Sequence, residues 1–96
     1  MYVGSLRVRL LVRDSQSLKD KRQVVRSITD RLRNGFNVSV AEVDALDQRQ
    51  LAVLGVATVS SEAGHARSAL EQVVNALRVH PVAELLSHQV EVEACH

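Results

Sequence analysis

Residues 51–59 read LAVLGVATV, a run in which both alternating faces of an extended chain are apolar. This pattern predicts a strand at the centre of a sheet, covered on both sides or covered partly by a partner. The polar stretch 44–50 before it predicts a hairpin loop. Before that loop, the alternation of Phe36, Val38 and Val40 predicts a second, neighbouring strand. Residues 51–59 are therefore predicted to form one arm of a hairpin.

Upstream, residues 2–13 alternate, with Leu6, Val8, Leu10 and Val12 on one side and Arg7, Arg9, Leu11 and Arg13 on the other, which predicts a strand with one buried face. Ser17 followed by Asp20 resembles a capping box and predicts the start of a helix. The helix is expected to run to about Arg33, with Asn34-Gly35 as a left-handed stop. Its apolar positions form one core-facing stripe: Leu18, Val24, Val25, Ile28 and Leu32.

Downstream, apolar residues recur at helical spacing at Ala66, Leu70, Val73 and Leu77. Pro81 ends this second helix, and a last strand centres on Val90 and Val92. Two βαβ halves of this length predict one ferredoxin-like α+β domain over residues 1–96. Two helices would cover one face of a four-stranded antiparallel sheet of order 4-1-3-2. The first and third strands are expected at its centre, parallel to each other.

The composition is that of a globular protein that works inside the cell. The lone cysteine, Cys95, cannot form a disulfide within the chain, which fits a reducing compartment. Arg7, Arg9 and Arg13 interrupt the apolar N-terminal run, so it is neither a signal peptide nor a membrane span. We therefore expect a cytoplasmic protein with no membrane partner.

Charge is distributed unevenly along the chain. Residues 1–35 hold nine Lys/Arg against three acids, whereas residues 36–96 hold three Arg against eight acids. Such a molecule can orient on a polyanion or on a second copy of itself.

The first helix carries the densest group of cations. Lys19, Arg22, Arg26 and Arg33 project within about 60° of one another along roughly 20 Å of helix, a spacing that could follow a phosphate backbone. With Lys21 and Arg31 as flanking charge, the predicted nucleic-acid-binding residues are Lys19, Lys21, Arg22, Arg26, Arg31 and Arg33. The competing interpretation is a solvated helix face, at whose edge Asp20 and Asp30 could pair with these cations for little energy.

The strand arginines have a different interpretation. Arg7, Arg9 and Arg13 are expected on the open side of the sheet, where the fourth strand neighbours the first. Glu91 and Glu93 would then lie across from them as opposite-charge cross-strand pairs. We therefore favour a self-neutralised ladder over a second nucleic-acid-binding surface.

The same open face is predicted to hold an apolar centre. Leu11, Leu54 and Val56 would lie near its middle, surrounded by charge, which is typical of a dimer interface. These three residues are the predicted contacts of a homodimer.

The residues required for several functions known in this fold are absent from the sequence. There are no paired strand aromatics to stack RNA bases, no GxxG clamp, no CxxC metal motif, and the loop after the first strand is DSQS rather than glycine-rich. Cys95-His96 is a weak metal pair, and a cation site at Glu42, Asp44 and Asp47 competes with ordinary turn formation. We assign no catalytic residues, no metal site and no cofactor.

Two strings carry a family resemblance: SLKDKR at 17–22 and NVSVAEVD at 37–44. With the opening MYVGSLRVRLLV and the later AVLGVATVS, nearly the whole chain resembles the YlxP-like bacterial family of unknown function. The resemblance implies a ferredoxin-like fold. Because the family's genes commonly neighbour those for translation initiation and ribosome maturation factors, it also implies a role near RNA or the ribosome. It offers no catalytic residues, and Arg49 stands where family members usually carry tryptophan.

Two functions follow as hypotheses. The first is a non-catalytic module that associates with RNA or the ribosome through the basic first helix. The alternative is a homodimeric protein-interaction module that uses the open sheet face without nucleic acid.

Overall fold

Six elements follow one another in the predicted order, strand–helix–strand–strand–helix–strand. The computed structural model describes residues 1–96. The elements are β1 (Tyr2–Leu11), α1 (Leu18–Gly35), β2 (Ser39–Asp44), β3 (Leu51–Ser60), α2 (Ala63–Arg78) and β4 (Glu84–Ala94). The sheet order is β2-β3-β1-β4, which is the predicted 4-1-3-2 written from the other edge. The ferredoxin-like α+β fold is therefore confirmed.

The central strands β1 and β3 run antiparallel to each other, so the prediction that they are parallel was wrong. The reason lies in the connections. β2 and β3 form a hairpin and are antiparallel, while β1 and β2 are joined by a helical crossover that keeps them parallel. Since β3 runs against β2, and β1 is parallel to β2, β3 must also run against β1.

One face of the sheet, here called the helix side, holds the core. Alternate residues of β1, among them Leu6 and Val8, pack there with Ile28 of α1 and Leu70 of α2. The cross-strand pairs Leu6–Val56 and Val8–Leu54 place β3 in the same layer. The opposite face, here called the open face, carries the alternating residues between them.

This register corrects the predicted dimer interface. Leu54 is 0% exposed and Val56 is 2% exposed, because both lie in the core on the helix side. Val53, Gly55 and Ala57 are the β3 residues that alternation places on the open face. Because β3 is apolar on both faces, its sequence pattern does not indicate which set of alternate residues faces the helices. A register shift of one residue would exchange the two sets between the faces.

Both ends of α1 are determined locally. The Ser17 hydroxyl accepts a hydrogen bond from the Asp20 backbone N–H at 3.0 Å, as the capping motif predicts. At the other end, Gly35 is part of the helix and no glycine has positive φ, so the expected left-handed stop is absent. The helix ends instead at Phe36, which turns into extended backbone and packs against the core.

Each edge strand contains one irregularity. The β2–β3 register shifts between Glu42 and Asp44, and the β1–β4 register shifts opposite Arg9 and Leu10. The first shift is a bulge at Val43. It allows Glu42 to point to the helix side while Asp44 reaches the open face.

Candidate nucleic-acid interface

Four cations share the outer flank of α1, and we call them the basic flank: Lys19, Arg22, Arg26 and Arg33. All four are exposed. The ion pairs of the structure involve other residues, so no carboxylate neutralises this flank. Asp20 instead accepts a hydrogen bond from the Gln16 backbone N–H at 3.1 Å, and Asp30 makes no ion pair. Asp20 and Asp30 therefore leave the charge of the basic flank uncompensated.

Two arginines of α1 have particular neighbours. The Arg33 guanidinium donates to the carbonyl oxygen of Val40 on β2 at 2.7 Å, which fixes its position at the end of the flank. Arg31 is exposed on another side of α1, where its charge acts on His80 at the end of α2. Arg31 thus projects from a different side of the helix than the basic flank.

Lys21 lies inside the protein rather than on its surface. Its side chain is 0% exposed, and its Nζ lies 2.8 Å from Oε2 of Glu42, whose side chain is 13% exposed. The ammonium also donates to the carbonyl oxygens of Ala45 at 2.8 Å and Leu51 at 3.2 Å, and it lies 3.5 Å from that of Leu46. Lys21 therefore cannot contact a phosphate from this position, which corrects its predicted role as flanking charge.

The contact between the two buried charges has a simple electrostatic basis. Oε2 of Glu42 accepts no aligned hydrogen bond, so the adjacent positive charge of Lys21 is what compensates for its burial. The helix pattern contained the signal that locates this lysine. Lys21 precedes Val25 by four residues and Ile28 by seven, which puts it on the core-facing stripe of α1.

On the open face, Arg7 is paired across an intervening strand. Its Nη2 lies 2.9 Å from Oδ2 of Asp44 on β2, and the β3 residue opposite Arg7 is Gly55, which has no side chain in the way. The backbone N–H of Ala45, and then Arg7, lower the pKa of Asp44 below its ordinary 3.8.

The predicted arginine–glutamate ladder does not form. Glu91 lies opposite Ser5 and Glu93 lies opposite Val3, because the antiparallel register of β1 and β4 brings these acids to the other end of β1. Arg13 pairs with Glu84, with its Nη2 at 2.6 Å and its Nε at 3.0 Å from Oε2. Arg7 and Arg13 are thus neutralised, but by partners that the prediction did not name.

The open face also contains a shallow groove of about 550 Å³ that crosses all four strands. Small residues form much of its floor, including Ala41, Gly55 and Ala57, and Arg7 and Glu91 border it. Arg9, Glu91 and Glu93 are exposed on this face and form no ion pair. Leu11 is half-buried at one end of the face, opposite Leu51.

The three acids of the hairpin do not form a metal centre. Glu42 faces Lys21 and Asp44 faces Arg7, so two of the three are occupied by cations. No group of three or more His, Cys, Asp or Glu side chains is arranged to hold a metal ion. Neither helix combines the length and the apolar character that a membrane crossing requires.

Comparison with known proteins places the chain in an uncharacterised group. The family model described as "Protein of unknown function (DUF503)" matches residues 3–90. The chain is also 33% identical over 82 residues to the uncharacterized protein YlxP of Bacillus subtilis (strain 168), an alignment that covers 85% of this chain and 89% of the relative.

Proposed function

The chain belongs to the DUF503 family, and we propose that it is a non-catalytic, single-domain cytoplasmic protein that associates with RNA, free or in the ribosome. The contact surface is the basic flank of α1; Arg31, on another side of the helix, adds only to the overall positive charge. The observation that carries this proposal is that the flank is exposed and unpaired with any carboxylate.

Electrostatics supports a polyanionic partner. Most of the positive charge of the chain lies in residues 1–35, and the structure neutralises Arg7, Arg13 and Lys21 internally. What is left unpaired on α1 lies on the surface. Cations of this kind release counterions when they meet phosphates, which favours binding and makes it weaken as salt rises.

The test is binding of a structured RNA measured by fluorescence anisotropy at several salt concentrations. We expect binding at low salt that is abolished in the double variant Arg22→Glu/Arg26→Glu. The matched control is Arg67→Glu/Arg78→Glu, which makes the same charge change on exposed positions of α2. No binding by the native protein, or equal losses in the two double variants, would contradict the proposal.

A second candidate is self-association through the open face, and unpaired opposite charges on this face favour it. Arg9 lies toward one end of β1, whereas Glu91 and Glu93 lie beside its other end. Consider a dimer in which the open faces of two copies meet, with the two-fold axis perpendicular to the strands and passing near Arg7. Arg9 and Ser5 lie two residues on either side of Arg7, so Arg9 of each copy approaches Ser5 of the other copy and the neighbouring Glu91. A second copy of the chain therefore complements the charge pattern.

Sedimentation velocity over a range of concentrations tests this candidate. We expect a dimer that Arg9→Glu dissociates and that the charge exchange Arg9→Glu/Glu91→Arg restores, since a two-fold contact repeats both changes. Arg78→Glu, on α2 and away from the open face, is the control and should leave the dimer intact. A native protein that stays monomeric at every concentration contradicts self-association and leaves the RNA proposal standing.

A further inference from the structure

We infer that the RNA recognised by the basic flank is double-stranded and is held by its sugar–phosphate backbone rather than by its bases. This inference rests on the proposed function and specifies its ligand. It follows from the straightness of the flank, from the polar side chains around it and from one acid, Asp30, beside it.

The basic flank is a nearly linear row of charged side chains on a rigid helix. Lys19 and Arg33 are separated by about 21 Å of helical rise. The helix is anchored from below by buried Val25, Ile28 and Leu32, and Arg33 is held by its bond to the Val40 carbonyl. A row whose backbone attachment points are fixed suits a ligand that is itself stiff, because ordering on binding is then confined to the exposed side chains.

A duplex has this stiffness and the higher charge density. Its two strands together present one phosphate per about 1.7 Å of axis in the B-form duplex, against about 3.4 Å for one strand. Each cation that meets a phosphate therefore releases more condensed counterion from a duplex, about 0.9 per contact, than from a single strand, about 0.7.

The side chains around the flank are unsuited to bases. Proteins that hold single strands stack bases on exposed aromatic side chains. The aromatic residues of this chain are Tyr2 and Phe36; both are half-buried, and neither belongs to α1. The outer surface of α1 instead forms a shallow groove of about 700 Å³ that no hydrophobic residue lines and that includes Gln23, Ser27 and Asn34. Such groups donate to and accept from phosphate and ribose oxygens.

Asp30 distinguishes RNA from DNA in this arrangement. It lines the same groove, one turn after Arg26, and makes no ion pair. A carboxylate among phosphates is repelled unless it meets a donor, and the ribose 2′-hydroxyl is a donor that DNA lacks. We therefore expect Asp30 to accept from a 2′-hydroxyl and to weaken binding of a DNA duplex.

The experiment compares three ligands of one sequence, about 16 base pairs or nucleotides long: an RNA duplex, one of its strands chosen to be unstructured, and the DNA duplex. Anisotropy titrations at about 50 and about 200 mM salt give the dissociation constants and their salt dependence. We expect the RNA duplex to bind on the order of tenfold more tightly than either other ligand. Asp30→Ala should narrow the preference for RNA over DNA, and Arg22→Glu/Arg26→Glu should abolish all binding.

The outcomes separate this inference from the proposed function. A single strand that binds as well as the RNA duplex overturns the double-stranded ligand and leaves RNA association intact. Equal binding of RNA and DNA duplexes, or an unchanged ratio in Asp30→Ala, overturns the 2′-hydroxyl contact. If no RNA ligand binds at low salt, the proposed function itself fails. Asp20→Ala is the matched control, because its carboxylate is engaged by the Gln16 backbone N–H.

Discussion

The ammonium nitrogen of Lys21 on α1 lies 2.8 Å from the carboxylate of Glu42 on β2, and both groups are shielded from solvent. These residues come from SLKDKR and NVSVAEVD, the two most specific strings of the family resemblance. Part of that resemblance therefore reflects a buried structural contact. It joins the first helix to the base of the β2–β3 hairpin, where Lys21 also binds the carbonyl oxygens of Ala45 and Leu51.

Lys21→Met should strongly destabilise the fold. Methionine fills a similar volume but leaves the carboxylate of Glu42 buried without a counter-charge, a change that typically costs about 3–5 kcal/mol. Urea denaturation measures the loss. Adding Glu42→Gln to Lys21→Met should recover part of it, because the unpaired charge is then removed. The control Lys19→Met, at an exposed position two residues earlier, should change the free energy of unfolding by no more than about 0.5 kcal/mol.

Leu54→Ala should destabilise the monomer by about 2–5 kcal/mol, because it opens a cavity in a fully buried layer of the core. Leu46→Ala is the control: Leu46 is 58% exposed on the hairpin loop, and its loss should cost no more than about 0.5 kcal/mol. Equal effects in urea denaturation would contradict the placement of Leu54. Substitutions at Leu54 therefore report on folding and cannot test a dimer interface.

Ser17→Ala should cost about 1 kcal/mol, because the Asp20 backbone N–H loses its hydroxyl acceptor at the start of α1. Ser27→Ala is the matched control, since Ser27 is exposed within the same helix and alanine is the better helix former there. Thermal denaturation followed by circular dichroism should show a lower midpoint for the first variant and an equal or higher one for the second.

His80 should make stability depend on pH. Its Nδ1 accepts hydrogen bonds from the backbone N–H groups of Val82 and Ala83, at 3.2 and 3.1 Å. Burial, and then the charge of Arg31, lower the pKa of His80 below its ordinary 6.5. The unfolded chain therefore binds the proton first as pH falls. The contribution of His80 is fully present above pH 6.5 and is lost as pH falls from there through the folded pKa.

Urea denaturation between about pH 7.5 and about pH 5.5 measures this loss. We expect His80→Ala to be less stable than the native protein at the upper pH and to vary less with pH. His88→Gln is the control, because His88 is exposed on β4 and accepts no backbone hydrogen bond. A His80→Ala variant that keeps the full pH dependence would assign the effect to another group.

Periodicity was sufficient to predict the six elements, because each contains a clear apolar repeat and a clear interruption. It was insufficient for the register. Leu51–Ser60 is apolar on both faces, so only its pairing with Leu6 and Val8 on β1 determines that Leu54 and Val56 face the helices. The pairing of β1 with β4 likewise places Glu91 and Glu93 opposite Ser5 and Val3 rather than opposite the β1 arginines, an order that the single strands do not reveal.

The candidate site was partly predictable. Helical spacing alone brings Lys19, Arg22, Arg26 and Arg33 to one flank, and all four are exposed there. Lys21 is the exception, because it occupies a position on the apolar stripe of α1 and is buried there despite its charge. A lysine at such a position requires a buried partner, and the acid that serves it lies on another element. Only the folded chain shows which acid that is.

The irregularities in β2 and β4 limit how copies of this protein can meet. A long, regular edge strand offers unpaired backbone groups on which another chain can add a strand, which is the common route to edge-to-edge aggregation. Here the ladder of β2 is broken at Val43, after a short run of pairing, and that of β4 is interrupted opposite Arg9 and Leu10. The margin of β2 is therefore too short and irregular to template strand addition, whereas that of β4 is regular over residues 87–94, so edge-to-edge contact between copies is restricted to one margin of the sheet.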